Sequence, residues 1–272
     1  MDENTGFTKE QALLALEHNL WSMWSHFGRG PGCHLYEADG AMWFDTPIPT
    51  VPYHALMRFT GTDDIDRRID RIVAHFNRQN VPFMWVIHPT SPPEMEDRLK
   101  ARGLQEAEVV PGMVIHLSQL PEPDPPPDGF EIREIITSDD VKQVLEFITW
   151  RWNVPTDVKE HLQAVTQPFK VGHAGSKTRA WAAFKDGAIV SKVTTHYGDA
   201  GDVGLYGVAT RQEFRGLGLA RTLILEALKT IYEDNYQIGL LHSSPMAESL
   251  YQKIGFKTVA TFFVYTSTGA PL

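Results

Sequence analysis

The chain has 272 residues, which is long for one compact domain and sufficient for two of roughly 120 to 140 residues. Its hydrophobic fraction of 42% is typical of globular proteins, and its formal net charge of -9 argues against a general surface for nucleic acid or anionic membranes. The single cysteine, Cys33, excludes an internal disulfide and a multi-cysteine metal cluster, so we predict no metal site. An acidic, polar N-terminal stretch without a long apolar run predicts a cytoplasmic protein that does not cross a membrane.

The N-terminal half is predicted to alternate strands and helices. Residues 19–27 carry apolar side chains at helical spacing, which favours a helix packed in a core or between lobes over an acceptor pocket. Residues 53–61 then resemble a strand, 63–80 an amphipathic helix, 82–88 a strand and 92–104 a helix that ends at a glycine.

A proline-rich segment divides the chain nearly in half. Between Leu120 and Gly129 it contains five prolines among acidic residues, which excludes helix and central strand and favours an extended spacer. We therefore predict an N-terminal domain over residues 1–120, a linker over 121–128 and a second domain over 129–272.

The second half has the predicted order β-α-α-β-β-β-α-β-α-β. Its fourth and fifth elements form a hairpin that turns at Asp186-Gly187, a pair suited to positive φ angles. The segments are residues 130–135, 138–152, a helix from near 156, the hairpin 180–197, then 202–209, 218–233, 238–242, 245–254 and 258–265. Because the N-terminal half repeats the final β-α-β-α order, we favour a diverged duplication, with two generic runs of the same order as the alternative.

Two glycines lie one residue apart before the helix 218–233, whose apolar residues recur at steps of three and four and predict one face in the core. The first turn of a helix has backbone N–H groups without intrahelical partners and carries the positive end of the helix dipole, so an anion is its natural ligand. Gly216 and Gly218 would let a phosphate approach these amides, and Arg215 and Arg221 add positive charge. The stretch lacks the lysine and Ser/Thr of a P-loop, and Arg221 occupies the position where a dinucleotide fingerprint needs a small residue.

The loop instead resembles that of the GCN5-related N-acetyltransferase (GNAT) family, whose pattern Arg/Gln-x-x-Gly-x-Gly/Ala is met by Arg215, Gly218 and Ala220. About thirty residues downstream, "ESLYQKIGF" resembles the next element of the family, a helix with a tyrosine before a glycine-phenylalanine turn. The resemblance covers about Phe130 to Tyr265. It implies a mixed α/β (α+β) fold of two GNAT-like lobes, each a mostly antiparallel sheet flanked by helices, with a splayed pair of parallel strands in the C-terminal lobe.

The same resemblance implies acetyl-coenzyme A (acetyl-CoA) as co-substrate. The loop amides would bind its pyrophosphate, the end of the preceding strand would bind its pantetheine arm, and a serine would replace the asparagine that many members have seven residues before the tyrosine. The implied cofactor-binding residues are Val208, Ala209, Thr210, Arg215, Gly216, Leu217, Gly218, Leu219, Ala220, Arg221 and Ser244.

The implied reaction is direct attack of an amine on the thioester. Tyr251 matches the family tyrosine that supplies a proton to the departing thiolate, with a purely packing role as the alternative. Asp202 lies where some members have a glutamate base, although an exposed aspartate at a strand start is an equal alternative, and His196 and His242 are reserve bases. Trp150 is expected on the acceptor side.

The N-terminal lobe is predicted to be degenerate, because "TGTDDID" replaces the glycine loop and its aspartates would repel a pyrophosphate. We therefore expect an acetyltransferase acting on a small-molecule or peptide amine, with no nucleic-acid or membrane partner, as a monomer or homodimer. The alternatives are a CoA-responsive regulatory protein without turnover, and an acyl-CoA decarboxylase or hydrolase on the same fold.

Overall fold

The computed structural model describes residues 8–155 and 158–269. The strands are β1 His34–Ala38, β2 Ala41–Asp45, β3 Ala55–Phe59, β4 Met84–Ile87, β5 Gln105–His116, β6 Phe130–Glu134, β7 Thr178–Lys185, β8 Ala188–Tyr197, β9 Asp202–Thr210, β10 Ile238–His242 and β11 Lys257–Thr266. The helices are α1 Lys9–Ser25, α2 Ile65–Gln79, α3 Met95–Lys100, α4 Ser138–Arg151, α5 Lys159–Thr166, α6 Leu219–Glu233 and α7 Glu248–Ile254. No described helix is long and apolar enough to cross a membrane.

The element order predicted for the second half is confirmed from β6 to β11. The hairpin β7–β8 turns at Asp186 and Gly187, whose φ angles of 49° and 78° are those of a tight two-residue turn. α4 is capped by Thr137, whose side chain accepts from the amide of Asp140, so the cap is the residue before the predicted segment 138–152. α7 begins at Glu248 and not at Pro245.

The chain folds into two compact units. Described residues of Met1–Met23, Gly112–Pro155 and Phe169–Val259 form unit 1, and those of Trp24–Pro111, Thr156–Pro168 and Ala260–Leu272 form unit 2. The last strand of the N-terminal half is β5, and its residues from Gly112 onward belong to unit 1, which consists mainly of the C-terminal half. The last strand of the C-terminal half is β11, and its residues from Ala260 onward belong to unit 2. The domain boundaries at residues 120 and 129 stay a prediction.

In unit 1 the strand order is β5-β10-β9-β8-β7-β6. All neighbours are antiparallel except β9 and β10, whose parallel register runs from Ile238 opposite Asp202 to Leu241 opposite Leu205. β9 continues five residues beyond this last pair, to Thr210, whereas β10 ends at the next residue. This topology contains the parallel pair that the resemblance implied for the C-terminal lobe, and β9 extends beyond it.

In unit 2 the order is β1-β2-β3-β4-β11, and β3 and β4 form a second parallel pair. α2 follows β3 as α6 follows β9, and both helices begin after a residue with positive φ, Asp64 at 48° and Gly218 at 79°. The two halves thus share a strand-loop-helix-strand unit.

The predicted apolar face of α6 is confirmed. Its residues are 0–1% exposed. Leu219 packs with Ala183 and Val190. The others belong to the main core of unit 1, namely Leu223, Ile224, Ala227, Leu228 and Ile231. Burial of each large aliphatic side chain contributes about 1.5–3 kcal/mol, which fixes the helix against the sheet. The first turn of α6 is thereby held at the end of β9, where the candidate site lies.

Candidate functional site

The glycine loop joins β9 to α6 in an open conformation. Gly216 and Gly218 both have φ of 79°, a region that side chains other than glycine rarely adopt. A Cβ at either position would meet no atom within 4 Å, so the backbone conformation, rather than crowding, requires glycine. Leu217 between them is 48% exposed. The amides at the start of α6 therefore face accessible space suited to an anion.

The two arginines of the loop are placed differently. Arg215 is exposed, and its Nε donates to the carbonyl of Thr210 at 3.1 Å. The Arg221 guanidinium donates to the carboxylate of Asp124 in the proline-rich segment. A ligand phosphate at Arg221 would therefore compete with a carboxylate of the same chain.

A β-bulge interrupts β9 where it leaves β10. One residue of β8, Val193, lies opposite two residues of β9, Gly207 and Val208. Gly207 has φ of 55°. Such a bulge leaves an extra residue outside the ladder and bends the strand, so main-chain groups of β9 become available to a ligand.

The bulge corrects one expectation from strand periodicity. Period-two alternation along β9 would place Asp202, Gly204, Tyr206 and Val208 on one face, but the extra residue reverses the alternation. Val208 packs against the core beneath α6, whereas Ala209 packs against the cluster beneath α4.

Tyr251 lies in α7 against the core of unit 1. Its side chain is 6% exposed, and its ring meets that of Phe256 edge-on at 5.9 Å between centroids. Burial raises the pKa of Tyr251 to about 12, so the phenol stays protonated at neutral pH. Within the described part of the chain its hydroxyl has no hydrogen-bond partner, which leaves it available to a ligand.

Ser244 lies between β10 and α7. Its carbonyl accepts from the hydroxyl of Ser243 at 2.7 Å and from the amide of Ala247 at 3.0 Å, which closes a turn. Met246 at this turn is 84% exposed. An exposed methionine here and an exposed leucine in the glycine loop are apolar surface that a bound molecule could cover.

Asp202 is buried, so the alternative of an exposed aspartate at the strand start is wrong. Its carboxylate accepts from Asn19 Nδ2 at 2.7 Å and from the amide of Ala200 at 3.2 Å. The side-chain oxygen of Asn19, Oδ1, accepts a hydrogen bond from Tyr206 Oη at 2.8 Å. Burial raises the pKa of Asp202, opposed by the bond from Asn19. The carboxylate of Asp202 is therefore a proton acceptor with a raised pKa, but it is buried and already accepts a hydrogen bond from Asn19.

The reserve base His196 is fully buried. Its Nδ1 lies 2.9 Å from Thr178 Oγ1, and its Nε2 lies 2.9 Å from Ser22 Oγ. Both ring nitrogens are therefore engaged within unit 1. His242 is the last residue of β10 and is half-buried.

The expected acceptor side carries a cation among aromatic rings. The guanidinium of Arg211 lies 5.0 Å from the ring centroid of Trp150 and 5.5 Å from that of Phe147. Trp150 is 40% exposed. This edge of α4 has the mixed apolar and cationic character of a small-molecule surface.

Sequence reasoning missed three residues of this region, namely Asn19 and Ser22 of α1 and Lys192 of β8. The first two are distant in sequence from their partners, and no local pattern predicts such contacts. Lys192 gave no signal either, because by period two it shares a face with Thr194 and His196, a pattern that favours the solvent side of a strand.

In unit 2 the loop that corresponds to the glycine loop is occupied by its own arginine. Arg68 donates to the carbonyl of Thr60 at 2.8 Å and to those of Gly61 and Asp63 at 3.4 Å each. Asp64 holds the position that Gly218 has in α6. The expectation that this loop does not bind a pyrophosphate stays a prediction.

Comparison with known proteins identifies the class. Residues 155–264 match a family model described as the acetyltransferase (GNAT) domain. A search of curated proteins finds no match to the sequence. Among solved structures, a GCN5-related N-acetyltransferase from Kribbella flavida is similar with a TM-score of 0.69 at 13% identity, over 93% of this chain and 95% of that one.

A tandem GNAT protein from the clavulanic acid biosynthesis pathway has a TM-score of 0.61 at 14% identity, over 98% of both chains. A GCN5-related N-acetyltransferase from Sphaerobacter thermophilus has a TM-score of 0.59 at 17% identity, over 84% of this chain and 80% of that one. Residues 155–264 are therefore similar to a GNAT domain, and the chain has the fold of GCN5-related N-acetyltransferases, as the two sequence motifs indicated.

Proposed function

We propose that the protein is an N-acetyltransferase that moves the acetyl group of acetyl-CoA to an amine, with its active site in unit 1. The observation that carries this proposal is the glycine loop: two glycines at positive φ present the amides at the start of α6 to open space beside a bulged strand end. The GNAT match over this region supports an acyl-CoA as the ligand.

The loop has the chemistry of a pyrophosphate site. The amides of residues 216–220 would hold the phosphates, together with the exposed guanidinium of Arg215 and with Arg221 after its release from Asp124. The main chain of Val208, Ala209 and Thr210, freed from β10, would pair with the pantetheine amides.

Acetyl-CoA would supply an activated acyl group as a thioester. The protein would then orient a neutral amine against it and stabilise the charge that develops on the leaving sulfur. A phenol with a pKa of about 12 donates a hydrogen bond at all physiological pH values, so we assign Tyr251 to the sulfur.

For Asp202 the contacts favour a role in positioning. Its carboxylate holds Asn19, which in turn accepts from the hydroxyl of Tyr206 on β9. A direct role as base needs Asn19 to move away, and that role stays a prediction.

Turnover is tested by the release of CoA thiol from acetyl-CoA with a panel of primary amines. We expect release above background only when an accepted amine is present, and we expect Gly218→Asp to abolish it. Thiol release without amine would indicate a hydrolase, and acetyl-CoA binding without release for any amine would indicate a regulatory protein. The cytoplasmic location and the monomer or homodimer state stay predictions.

A further inference from the structure

A lysine is buried in the sheet of unit 1 next to the bulge. Lys192 is in β8 and is 4% exposed. Its Nζ donates to Thr194 Oγ1 at 2.6 Å and lies 3.5 Å from the position that a Cβ on Gly207 would have. In register it lies between Ala182 and Ala209, whose small side chains leave room for it.

The ammonium has three donors, and the described residues give it a single hydrogen bond and no carboxylate partner. The charged groups on the same face have other contacts: Asp202 binds Asn19, and Arg211 stacks on the aromatic rings of α4. Burial lowers the pKa of Lys192 to about 8, so the charged form still predominates at pH 7. A buried cation without a counter-ion is costly and is a recurrent feature of binding sites.

The position of the lysine indicates which part of a ligand it would meet. The bulge at Gly207 and Val208 is where the acyl end of the donor and the incoming amine would lie under the proposed function. Arg211, on the same side of the sheet, adds a second positive charge to this region. An anionic substituent on either reactant would therefore find cations here, whereas a plain acetyl group would leave two of the three N–H donors of Lys192 without an acceptor.

We propose that Lys192, oriented by Thr194, binds a substrate carboxylate at the bulge of β9. The proposal rests on the proposed function and narrows it to reactants that carry a carboxylate. The carboxylate can belong to the acyl chain of the donor, as in a dicarboxylic acyl-CoA, or to the amine acceptor.

The donor is tested by calorimetric titration of the ligand-free protein with acetyl-CoA and succinyl-CoA. If the acyl chain supplies the carboxylate, the wild-type protein binds succinyl-CoA about tenfold or more tightly than acetyl-CoA. Lys192→Met removes this preference and retains acetyl-CoA binding. Lys142→Met, which removes an exposed ammonium paired with Asp139 on α4, retains the preference.

The acceptor is tested with amines that differ only by a carboxylate, such as β-alanine and propylamine, added to the acetyl-CoA complex. If the acceptor supplies the carboxylate, β-alanine raises the melting temperature more than propylamine in the wild-type protein, and Lys192→Met abolishes the difference. A preference for the carboxylate-bearing ligand that depends on Lys192 in either experiment supports the proposal and identifies which reactant carries the carboxylate.

If acetyl-CoA binds but neither carboxylate distinguishes the wild-type protein from Lys192→Met, the carboxylate site is refuted and the proposed function stands. If neither acetyl-CoA nor succinyl-CoA binds, both are refuted. Thr194→Val provides a second readout, since it leaves the charge in place but removes the group that orients it, and we expect a weaker preference in the same direction.

Discussion

Replacement of Lys192 by methionine is expected to stabilise the protein at neutral pH. Methionine has a similar length and a flexible, apolar side chain, so it fills the space of a buried lysine without the charge. The loss of one hydrogen bond to Thr194 is smaller than the cost of keeping an unpaired ammonium 96% buried. A buried cation that lowers the stability of the fold indicates a function other than folding.

The size of the effect follows from the pKa of the lysine. The pKa of Lys192 is about 8 in the folded protein and 10.5 for an unburied lysine, a difference that corresponds to roughly 3 kcal/mol. Below pH 8 both states are protonated and the full cost is present. Between pH 8 and 10.5 the unfolded chain binds more protons than the folded one, so the free energy of unfolding rises with pH. The advantage of Lys192→Met should therefore fall to roughly 1 kcal/mol at pH 10.

Urea unfolding followed by circular dichroism at pH 7, 8, 9 and 10 measures this difference. Lys142→Met is the matched control, because its ammonium is exposed and no pH-dependent gain is expected. A Lys192→Met variant that is less stable than the wild-type protein at pH 7, or a difference that does not change with pH, would refute the view that an unpaired cation is buried at this position.

Three further predictions concern the candidate site. In a double-mutant cycle, Asn19→Ala and Asp202→Asn should show a coupling of about 1–2 kcal/mol in urea unfolding, since both break one buried network, and additive effects would contradict this. Tyr251→Phe should lower kcat about 100-fold with acetyl-CoA affinity within about twofold of wild type, measured by thiol release and calorimetry; an unchanged kcat would remove Tyr251 from the reaction. Asp124→Asn should tighten acetyl-CoA binding by about two- to fivefold because it frees Arg221, and weaker binding would contradict competition for this guanidinium.

Local patterns in the sequence predicted much of the fold. The apolar face of α6, the hairpin turn at Asp186-Gly187 and the order of elements after the proline-rich segment depend on periodicity and turn chemistry within a few residues. The long strand β5 and the exchange of β5 and β11 between the halves were not predicted, because strand partners are chosen by contacts distant along the chain.

The site shows the same division. The glycine spacing located the loop, but periodicity placed Val208 on the wrong face because one extra residue at the bulge reverses the alternation. The side-chain hydrogen bond to Asp202 comes from Asn19, 183 residues earlier, and no local pattern indicates this contact.

The central claim is that the glycine loop before α6 binds the phosphates of acetyl-CoA. Calorimetric titration of acetyl-CoA into Gly218→Asp tests it directly, with Gly175→Asp as the matched control. Gly175 also has positive φ, 74° against 79°, and open surroundings, so both variants carry a similar backbone cost. We expect Gly175→Asp to bind acetyl-CoA like the wild-type protein and Gly218→Asp to lose at least about 100-fold in affinity, because its carboxylate occupies the anion position at the helix start. Equal binding by both variants and the wild-type protein would contradict the assignment of the loop.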